Sequence, residues 1–445
     1  MKRILSMPML IMIVIVLIVG CGTQKQDRYA NDIVIADKGN NHLTGDSVRD
    51  KVTDIILWRP SADDFESEWY RQGVEAFNEA NKGKIHVTIE VITRGDSFAY
   101  EDRVNVAAAS GGLPDVLAVD GPNISNYAFS NILVPLDPFF EKEELTDFVS
   151  SIIDQGTYSD KLYALGICES TVVLFYNKKL LSAARIQPPT TLENAWTWEE
   201  FYEVSKELTR NGVYGTNLIN DQGEWMTYCF EQFWISNNVD IISENGVTTT
   251  GYLNSPAGIE AAAFLQKMAQ EKLFNIKPTP TEFEEGKAAT KLGGPWNITR
   301  FEAYPDLEWG VTYFPYKLVK TSPSGSWALG ISGNSKHPYK TAEVIKLLTN
   351  KNNAIAYSKA SNMPPSRKSA YEAIPEYDKL PLRILKEQVT QTANLRPRTP
   401  IYPILTKKFA EVLNDIMMGA DVKRELDNMA KEIDNEYKHY YSTNQ

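Results

Sequence analysis

The chain has 445 residues, and its 46 lysines and arginines against 57 aspartates and glutamates give a formal net charge of −11. A composition of 43% hydrophobic and 11% aromatic residues is that of a folded globular protein, and the length predicts at least two cores. The negative charge argues against a nucleic-acid-binding surface. Three cysteines and four scattered histidines are too few for a disulfide framework or a zinc site, so we expect no metal and no cofactor. Cys168 and Cys229 lie in apolar or aromatic surroundings, which predicts buried free thiols.

The amino terminus has the pattern of an export signal. Two basic residues precede an uncharged apolar run over residues 7–19, which is too short for a membrane span. The run ends in Ile18-Val19-Gly20-Cys21, which resembles a bacterial lipobox and implies a lipid on the cysteine sulfur. An ordinary signal peptide or an uncleaved anchor is the alternative. We predict a signal peptide over 1–20, a flexible stalk over 21–51, and anchoring through Cys21 to the extracellular face of the cell membrane, as in a single-membrane bacterium.

The first folded stretch alternates strands and helices. The predicted elements are, in chain order, a strand over 53–58, a helix over 65–80, a strand over 85–91, a helix over 100–110 and a strand over 115–120. This alternation predicts a parallel sheet covered on both faces, and such sheets bind ligands beyond the carboxyl ends of their strands. The residues at those ends, Trp58, Arg59 and Asp120, are therefore candidates for ligand contact.

The remaining elements repeat this style with different residues. A strand over 172–176 is followed by a helix that opens with a capping box over 197–200, and a further helix begins at Ser255-Pro256. Two carboxyl-terminal helices, over 405–416 and 422–437, have apolar residues at three-and-four spacing. We expect these two apolar stripes to be core rather than binding sites.

Five matches to the sequence pattern of one protein family occur along the chain, in the order in which that family has them. Each match consists of one segment or of two segments. They are residues 111–116, then 162–166 with 174–178, then 188–189 with 197–201, then 283–289 leading into 294–297, and finally 329–332 with 335–337. Together they resemble the extracellular solute-binding proteins of ABC importers, in the sugar-binding lipoprotein branch that includes maltose-binding protein. The resemblance extends from about Asp54 to Asn435.

The resemblance implies an α/β fold of the periplasmic-binding-protein type II kind, with two discontinuous lobes, a hinge and a ligand cleft between the lobes. It places the first lobe at 52–168 and 317–358 and the second lobe at 169–316 and 359–445. It also implies that a ligand touching both lobes stabilises a closed form, which a membrane permease then recognises.

Sugars present flat apolar ring faces to aromatic side chains and hydroxyl groups to charged and polar ones. The residues that we expect to contact the ligand are Trp58, Arg59, Asp120, Glu169, Trp225, Trp296, Arg396, Arg398 and Tyr402. Trp296 follows Gly294-Pro295, as in the family's tryptophan loop. Asp120 and Glu169 lie near positions where the resemblance implies ligand-facing acids, although the spacing at Glu169 departs from the family by one residue.

Each of these residues also has a structural interpretation. Asp120 is alternatively a helix cap or a loop-closing carboxylate, and Arg59 is equally the partner of Asp63 or Glu66 in a salt bridge. Trp296 is alternatively a packing residue between the lobes.

The second-lobe candidates have structural alternatives as well. Trp225, Tyr228 and Trp234 share one helix face, and we expect Trp225 to line the cleft and the other two to be core. The arginines and Tyr402 lie in a proline-broken loop over 396–403, where surface arginines are common. Trp327 is expected at a core or hinge position.

The sequence therefore predicts a lipid-anchored monomer that is not an enzyme. We expect it to capture a carbohydrate, specifically an oligosaccharide, and to deliver it to the transmembrane subunits of an ABC permease. A sensor that presents the closed receptor to a membrane kinase would have the same chain. We find no serine nucleophile elbow, no Walker-type loop and no metal-ligand spacing in the sequence.

Two alternatives concern the ligand and the chemistry. An anionic solute, such as a uronate oligomer or a glycerophosphate, would use the four arginines Arg59, Arg94, Arg396 and Arg398. A secreted carbohydrate-active enzyme would need two carboxylates at a defined separation, for which Asp120 and Glu169 are the candidates.

Overall fold

The computed structural model describes residues 52–94, 98–219 and 223–444, and the features below lie in these ranges. The predicted signal peptide, the lipid anchor at Cys21 and the stalk lie outside the described residues. Among the described helices, none combines the length and the hydrophobicity of a membrane span.

The described chain alternates strands and helices in its first stretch and is mainly helical towards its carboxyl end. The strands are β1 Thr53–Pro60, β2 Ile85–Ile92, β3 Val116–Asp120, β4 Thr157–Tyr158, β5 Lys161–Leu162, β6 Ala164–Gly166, β7 Val173–Asn177, β8 Thr290–Gly293, β9 Trp309–Thr312, β10 Ser322–Ser324, β11 Trp327–Ile331 and β12 Ala393–Leu395. The α-helices are α1 Asp64–Ala80, α2 Ala99–Ser110, α3 Ile124–Phe129, α4 Lys142–Leu145, α5 Ser150–Gly156, α6 Lys178–Ala183, α7 Trp198–Leu208, α8 Glu224–Ser236, α9 Pro256–Gln270, α10 Trp296–Phe301, α11 Pro338–Leu348, α12 Lys351–Ser361, α13 Lys368–Glu372, α14 Leu382–Gln391, α15 Tyr402–Met417 and α16 Val422–Asn444. Short 3-10 helices cover Gly121–Asn123, Asp137–Phe139, Leu192–Asn194 and Pro375–Asp378.

The first sheet has the strand order β2-β1-β3-β11-β6. Strand β1 pairs in parallel with β2 and β3, as the alternating pattern of the first folded stretch predicts. Strand β11 comes from much later in the chain and lies antiparallel between β3 and β6. Helices α1, α11 and α12 pack around one hydrophobic core of this lobe, with Ile55, Phe77, Ile345 and Tyr357 among its buried residues.

The second sheet is smaller, with β7 at its centre and antiparallel to both β8 and β9. Its large core lies among α7, α8, α9, α15 and α16 and buries Trp198, Phe233, Trp234 and Phe409. The described chain thus has separate cores on separate sheets, which confirms the expected two-lobed α/β fold. The first crossing between the lobes lies between β6 and β7; the exact lobe boundaries stay a prediction.

Several local predictions are confirmed by the described helices. Helix α2 ends at Gly111, whose φ of 72° lies in the left-handed region that glycine adopts without strain. Helix α7 opens with the capping box of Thr197 and Glu200. The apolar stripes of α15 and α16 are buried, and Cys168 and Cys229 are buried free thiols.

Candidate functional site

A cavity of about 570 Å³ lies between the two lobes. Its aromatic wall residues are Phe65, Trp225, Tyr228, Trp296, Trp327 and Tyr357. Its charged wall residues are Asp63, Glu66, Arg94, Asp120, Glu224, Arg300 and Arg396. Both lobes contribute both kinds of side chain, because the start of α1, the end of β3 and Trp327 face the start of α8, helix α10 and Arg396.

Four of the nine predicted ligand-contact residues lie on this wall: Asp120, Trp225, Trp296 and Arg396. The other five, which are Trp58, Arg59, Glu169, Arg398 and Tyr402, do not line it. Ligand contact stays a prediction for all nine residues, and the contacts of the five that do not line the cavity are described below.

Arg396 forms a buried ion-pair network that joins the two lobes. Its guanidinium donates two hydrogen bonds to the Asp120 carboxylate, from Nη2 to Oδ1 at 2.7 Å and from Nη1 to Oδ2 at 3.1 Å. The same Nη1 donates to Glu224 Oε1 at 2.7 Å. Asp120 ends β3 in the first lobe, whereas Glu224 begins α8 in the second, where the helix dipole favours a negative charge. Arg396 therefore ties a first-lobe acid to a second-lobe acid through charge-assisted hydrogen bonds.

Glu224 is held from its own lobe as well. The Tyr402 hydroxyl donates to Glu224 Oε1, and Thr406 Oγ1 donates to Oε2 at 2.8 Å. Burial raises the pKa of Glu224, and the charge of Arg396 opposes that shift. Tyr402 is fully buried behind Glu224, so it positions the acid rather than lining the cavity.

Trp296 stands at the junction of the lobes and packs against the cores of both. It opens helix α10 directly after Gly294-Pro295, and a Cβ at Gly294 would lie 2.1 Å from the Trp296 ring. The indole can therefore fold back over residue 294 because that residue is glycine. The Trp225 ring meets it edge-on, with centroids 6.4 Å apart, and Trp225 Nε1 is fixed by donation to Leu218 O at 2.9 Å.

Trp327 and Tyr357 supply the aromatic wall of the first lobe together with Phe65, and the sequence did not point to any of the three as a ligand contact. Trp327 was expected in a core or hinge, but it lines the cavity with the Arg94 guanidinium 5.3 Å from its ring. Its register explains the position, since Trp327 pairs with Asp120 across β11 and β3. Tyr357 donates from its hydroxyl to Glu66 Oε2 at 2.9 Å.

The remaining charged wall residues, Asp63, Glu66, Glu224 and Arg300, were also missed as candidates. Glu66 and Arg300 lie inside helices, where no sequence signal separates them from surface residues. A signal for Glu224 was available, because it precedes Trp225 at the start of a predicted helix.

Glu169 lies away from the cavity wall and is completely buried. Its carboxylate accepts hydrogen bonds from the backbone N–H groups of Ser170 at 2.8 Å and Gly325 at 2.6 Å, and from the Ser151 hydroxyl. Ser151 lies on α5 of the first lobe, whereas Ser170 and Gly325 lie on two different segments near the crossing between the lobes, so Glu169 holds the hinge region together. Because Asp120 lines the cavity and Glu169 does not, the two carboxylates are not presented together to a substrate as a glycosidase would require.

Trp58 and Arg59, at the end of β1, are also buried in the first lobe. Trp58 Nε1 donates to Glu90 at 2.7 Å. Arg59 donates to Ser67 Oγ at 2.9 Å and to the carbonyl of Pro60 at 3.0 Å, instead of forming the salt bridge that was considered from the sequence. Arg398 is exposed on the far side of Arg396, where it donates to the carbonyl of Asp154 at 3.0 Å.

Glu101, on α2, is a carboxyl group whose environment was not evident from the sequence. Its Oε2 is buried and has no hydrogen-bond partner in the described structure. Burial raises the pKa of Glu101 from 4.5 to about 7. Between pH 4.5 and about 7, the native protein therefore retains a proton on Glu101 that the unfolded chain has already released.

This shift predicts a pH-dependent loss of stability. The contribution of Glu101 is fully present below pH 4.5 and is lost as the pH rises through about 7, by about 3 kcal/mol at about 1.4 kcal/mol per pKa unit. We expect Glu101→Gln to match the wild type in acid and to exceed its free energy of unfolding at pH 8. Urea denaturation at both pH values measures this difference. The exposed Glu207→Gln on α7 is the control, and equal pH profiles for wild type and Glu101→Gln would contradict the prediction.

Among the described residues, no group of three or more His, Cys, Asp or Glu side chains is arranged to hold a metal ion. The wall instead combines flat aromatic faces with hydrogen-bonding charges, an arrangement suited to holding a polar solute.

Comparison with known proteins shows what the chain is similar to. Residues 72–383 match the family model described as bacterial extracellular solute-binding protein. The galactooligosaccharide-binding protein of Bacillus subtilis (strain 168) is 25% identical over 405 residues, which are 86% of this chain and 89% of that protein. The maltodextrin-binding protein of the same organism is 21% identical over 349 residues, which are 73% of this chain and 78% of that protein.

A solved structure shows the same fold. An ABC substrate-binding protein from Listeria monocytogenes in complex with cycloalternan superposes with a TM-score of 0.75 at 21% identity. The match covers 87% of this chain and 99% of that one, so the whole two-lobed architecture is shared.

Proposed function

Because the chain belongs to the family of bacterial extracellular solute-binding proteins, we propose that it captures a neutral oligosaccharide between its lobes and delivers it to an ABC permease. Members of this family are solute-binding proteins and not enzymes, which agrees with the expectation from the sequence that this chain is not an enzyme. We further propose that the protein acts as a monomer, tethered to the extracellular face of the membrane by a lipid on Cys21.

The aromatic lining of the interlobe cavity is the observation that carries this proposal. Trp225, Tyr228 and Trp296 from the second lobe face Phe65, Trp327 and Tyr357 from the first. Sugar rings bury their apolar faces on such side chains, and charged groups between them can bind the hydroxyls. The names of two relatives, which bind galactooligosaccharides and maltodextrins, support the same ligand class.

The charges on the wall favour a neutral ligand over an anionic one. Four acids, which are Asp63, Glu66, Asp120 and Glu224, stand against three arginines, which are Arg94, Arg300 and Arg396. Arg396 is already paired with two of those acids. An anionic solute would therefore meet more negative than positive charge.

Thermal unfolding with added sugars tests the proposal. A ligand that binds the native state at a hundredfold excess over its dissociation constant stabilises the protein by about 2.7 kcal/mol. We would screen galactooligosaccharides and maltodextrins against uronate oligomers and glycerol phosphate. A rise in midpoint with neutral oligosaccharides supports the proposal, whereas a rise with anionic ligands alone overturns the neutral class.

Trp296→Ala should weaken oligosaccharide binding by about 30-fold, or about 2 kcal/mol, because it removes an aromatic face from the cavity wall. Titration calorimetry with the sugar that stabilises the wild type measures the change. Trp296→Phe keeps an aromatic ring and should recover most of the affinity. Tyr339→Ala, an aromatic side chain 68% exposed outside the cavity wall, is the matched control. Unchanged affinity in Trp296→Ala would remove this residue from the site.

A further inference from the structure

A smaller cavity of about 220 Å³ adjoins the interlobe cavity. The two cavities share the wall residues Arg94, Asp120 and Glu224. We call the smaller one the annex; its other walls include Glu101 and Tyr127 from the first lobe and Pro403 and Thr406 from the second. The annex thus lies behind the ion-pair network as a side chamber of the main cleft.

Three buried polar atoms on the annex wall, the Tyr127 hydroxyl, Glu101 Oε2 and Arg94 Nε, lack hydrogen-bond partners within the described structure. The Tyr127 hydroxyl has none, although its side chain is only 2% exposed, and Glu101 Oε2 has none. Buried polar groups in proteins are almost always hydrogen-bonded, so such exceptions call for a partner from outside the chain. The annex is also much larger than the roughly 30 Å³ that a water molecule takes up in the liquid.

The charges around the annex decide what kind of group it accepts. Acidic wall residues, which are Glu101, Asp102, Asp120 and Glu224, outnumber the basic ones, which are Arg94 and Lys407. A carboxylate or phosphate would be repelled there. A sugar hydroxyl can donate to Glu101 Oε2 and accept from the Tyr127 hydroxyl, which satisfies two of the three unpartnered atoms.

From this geometry we propose that the annex is a further subsite, in which Glu101 and Tyr127 bind the hydroxyls of one terminal neutral sugar unit of the oligosaccharide. This inference rests on the proposed function. It adds that affinity depends on the length of the ligand, since only a chain that passes the shared wall reaches both residues.

Calorimetric titration with oligosaccharides of increasing length tests the subsite. We would use galactooligosaccharides and maltodextrins of two to five units with the wild type, Tyr127→Phe and Glu101→Gln. The wild type should gain affinity at the length that reaches the annex. Tyr127→Phe should lower affinity about 3- to 10-fold at and beyond that length, and Glu101→Gln by about 10-fold, with shorter sugars unaffected.

Folding and function are separated by the same variants. Tyr127→Phe removes an unpartnered hydroxyl, so the free protein should keep or raise its unfolding midpoint. Tyr339→Phe and Glu207→Gln, both outside the two cavities, are matched controls. Two results would overturn the subsite. One is an equal loss of affinity at every sugar length. The other is no loss of affinity in the variants although the wild type binds normally, which would show that the annex holds water only. No binding of any neutral oligosaccharide to the wild type would overturn the proposed function and the subsite with it.

Discussion

Arg396→Ala is expected to lower the free energy of unfolding by about 3–5 kcal/mol, because it leaves Asp120 and Glu224 without their counter-charge in a buried position. The side chain of Arg396 is only 5% exposed, so the ion pairs are largely shielded from bulk solvent. The loss should appear as a lower midpoint in urea denaturation. Oligosaccharide affinity should fall as well, since the variant removes the link between the lobes.

A nearby arginine provides the control for this experiment. Arg398 lies two residues further along the same segment, is exposed, and makes its hydrogen bond to a backbone carbonyl. Arg398→Ala should change stability by less than about 0.5 kcal/mol. The triple variant Arg396→Met with Asp120→Asn and Glu224→Gln removes the charges together and should recover much of the stability. Equal stabilities of Arg396→Ala and Arg398→Ala would contradict a buried network.

Glu169→Ala is the second variant with a large expected effect, a loss of about 3–5 kcal/mol in the free energy of unfolding. The substitution leaves the N–H groups of Ser170 and Gly325 and the hydroxyl of Ser151 without an acceptor in a fully buried place. Each abandoned buried donor costs about 1–3 kcal/mol.

Guanidinium denaturation of Glu169→Ala measures this loss, with the exposed Glu193→Ala as control. Ser151→Ala removes one of the three donors and should cost about 1 kcal/mol. If Glu169 contacted ligand instead, Glu169→Ala would retain wild-type stability and lose affinity alone, and that result would refute the hinge role.

The fold was predictable where local pattern decides structure. Short apolar runs predicted β1 and β3, and alternating apolar residues predicted β2. Gly111 predicted the end of α2, and Thr197 with Glu200 predicted the start of α7. These features depend on backbone conformation and on which face is buried, and both are encoded within a few residues.

The site was only partly predictable because its geometry depends on distant contacts. Trp327 reaches the cavity through pairing between β11 and β3, which no local pattern reveals. Glu169 has the residue type and approximate position of a ligand-facing acid. Its carboxylate instead accepts a hydrogen bond from Gly325, 156 residues away, and is held in the hinge region. Trp296 and Asp120 were found because a short motif or a strand end marked them.

Strand β11, which comes late in the sequence, determines when the first sheet can complete its folding during synthesis. Strand β11 lies between β3 and β6, so both of these strands lack a neighbour until residues 327–331 have been synthesised. A chain that stops earlier exposes two unpaired strand edges, which are templates for aggregation. The first lobe therefore cannot finish folding when its own first segments leave the ribosome, and fragments ending before β11 should need a chaperone to stay in solution.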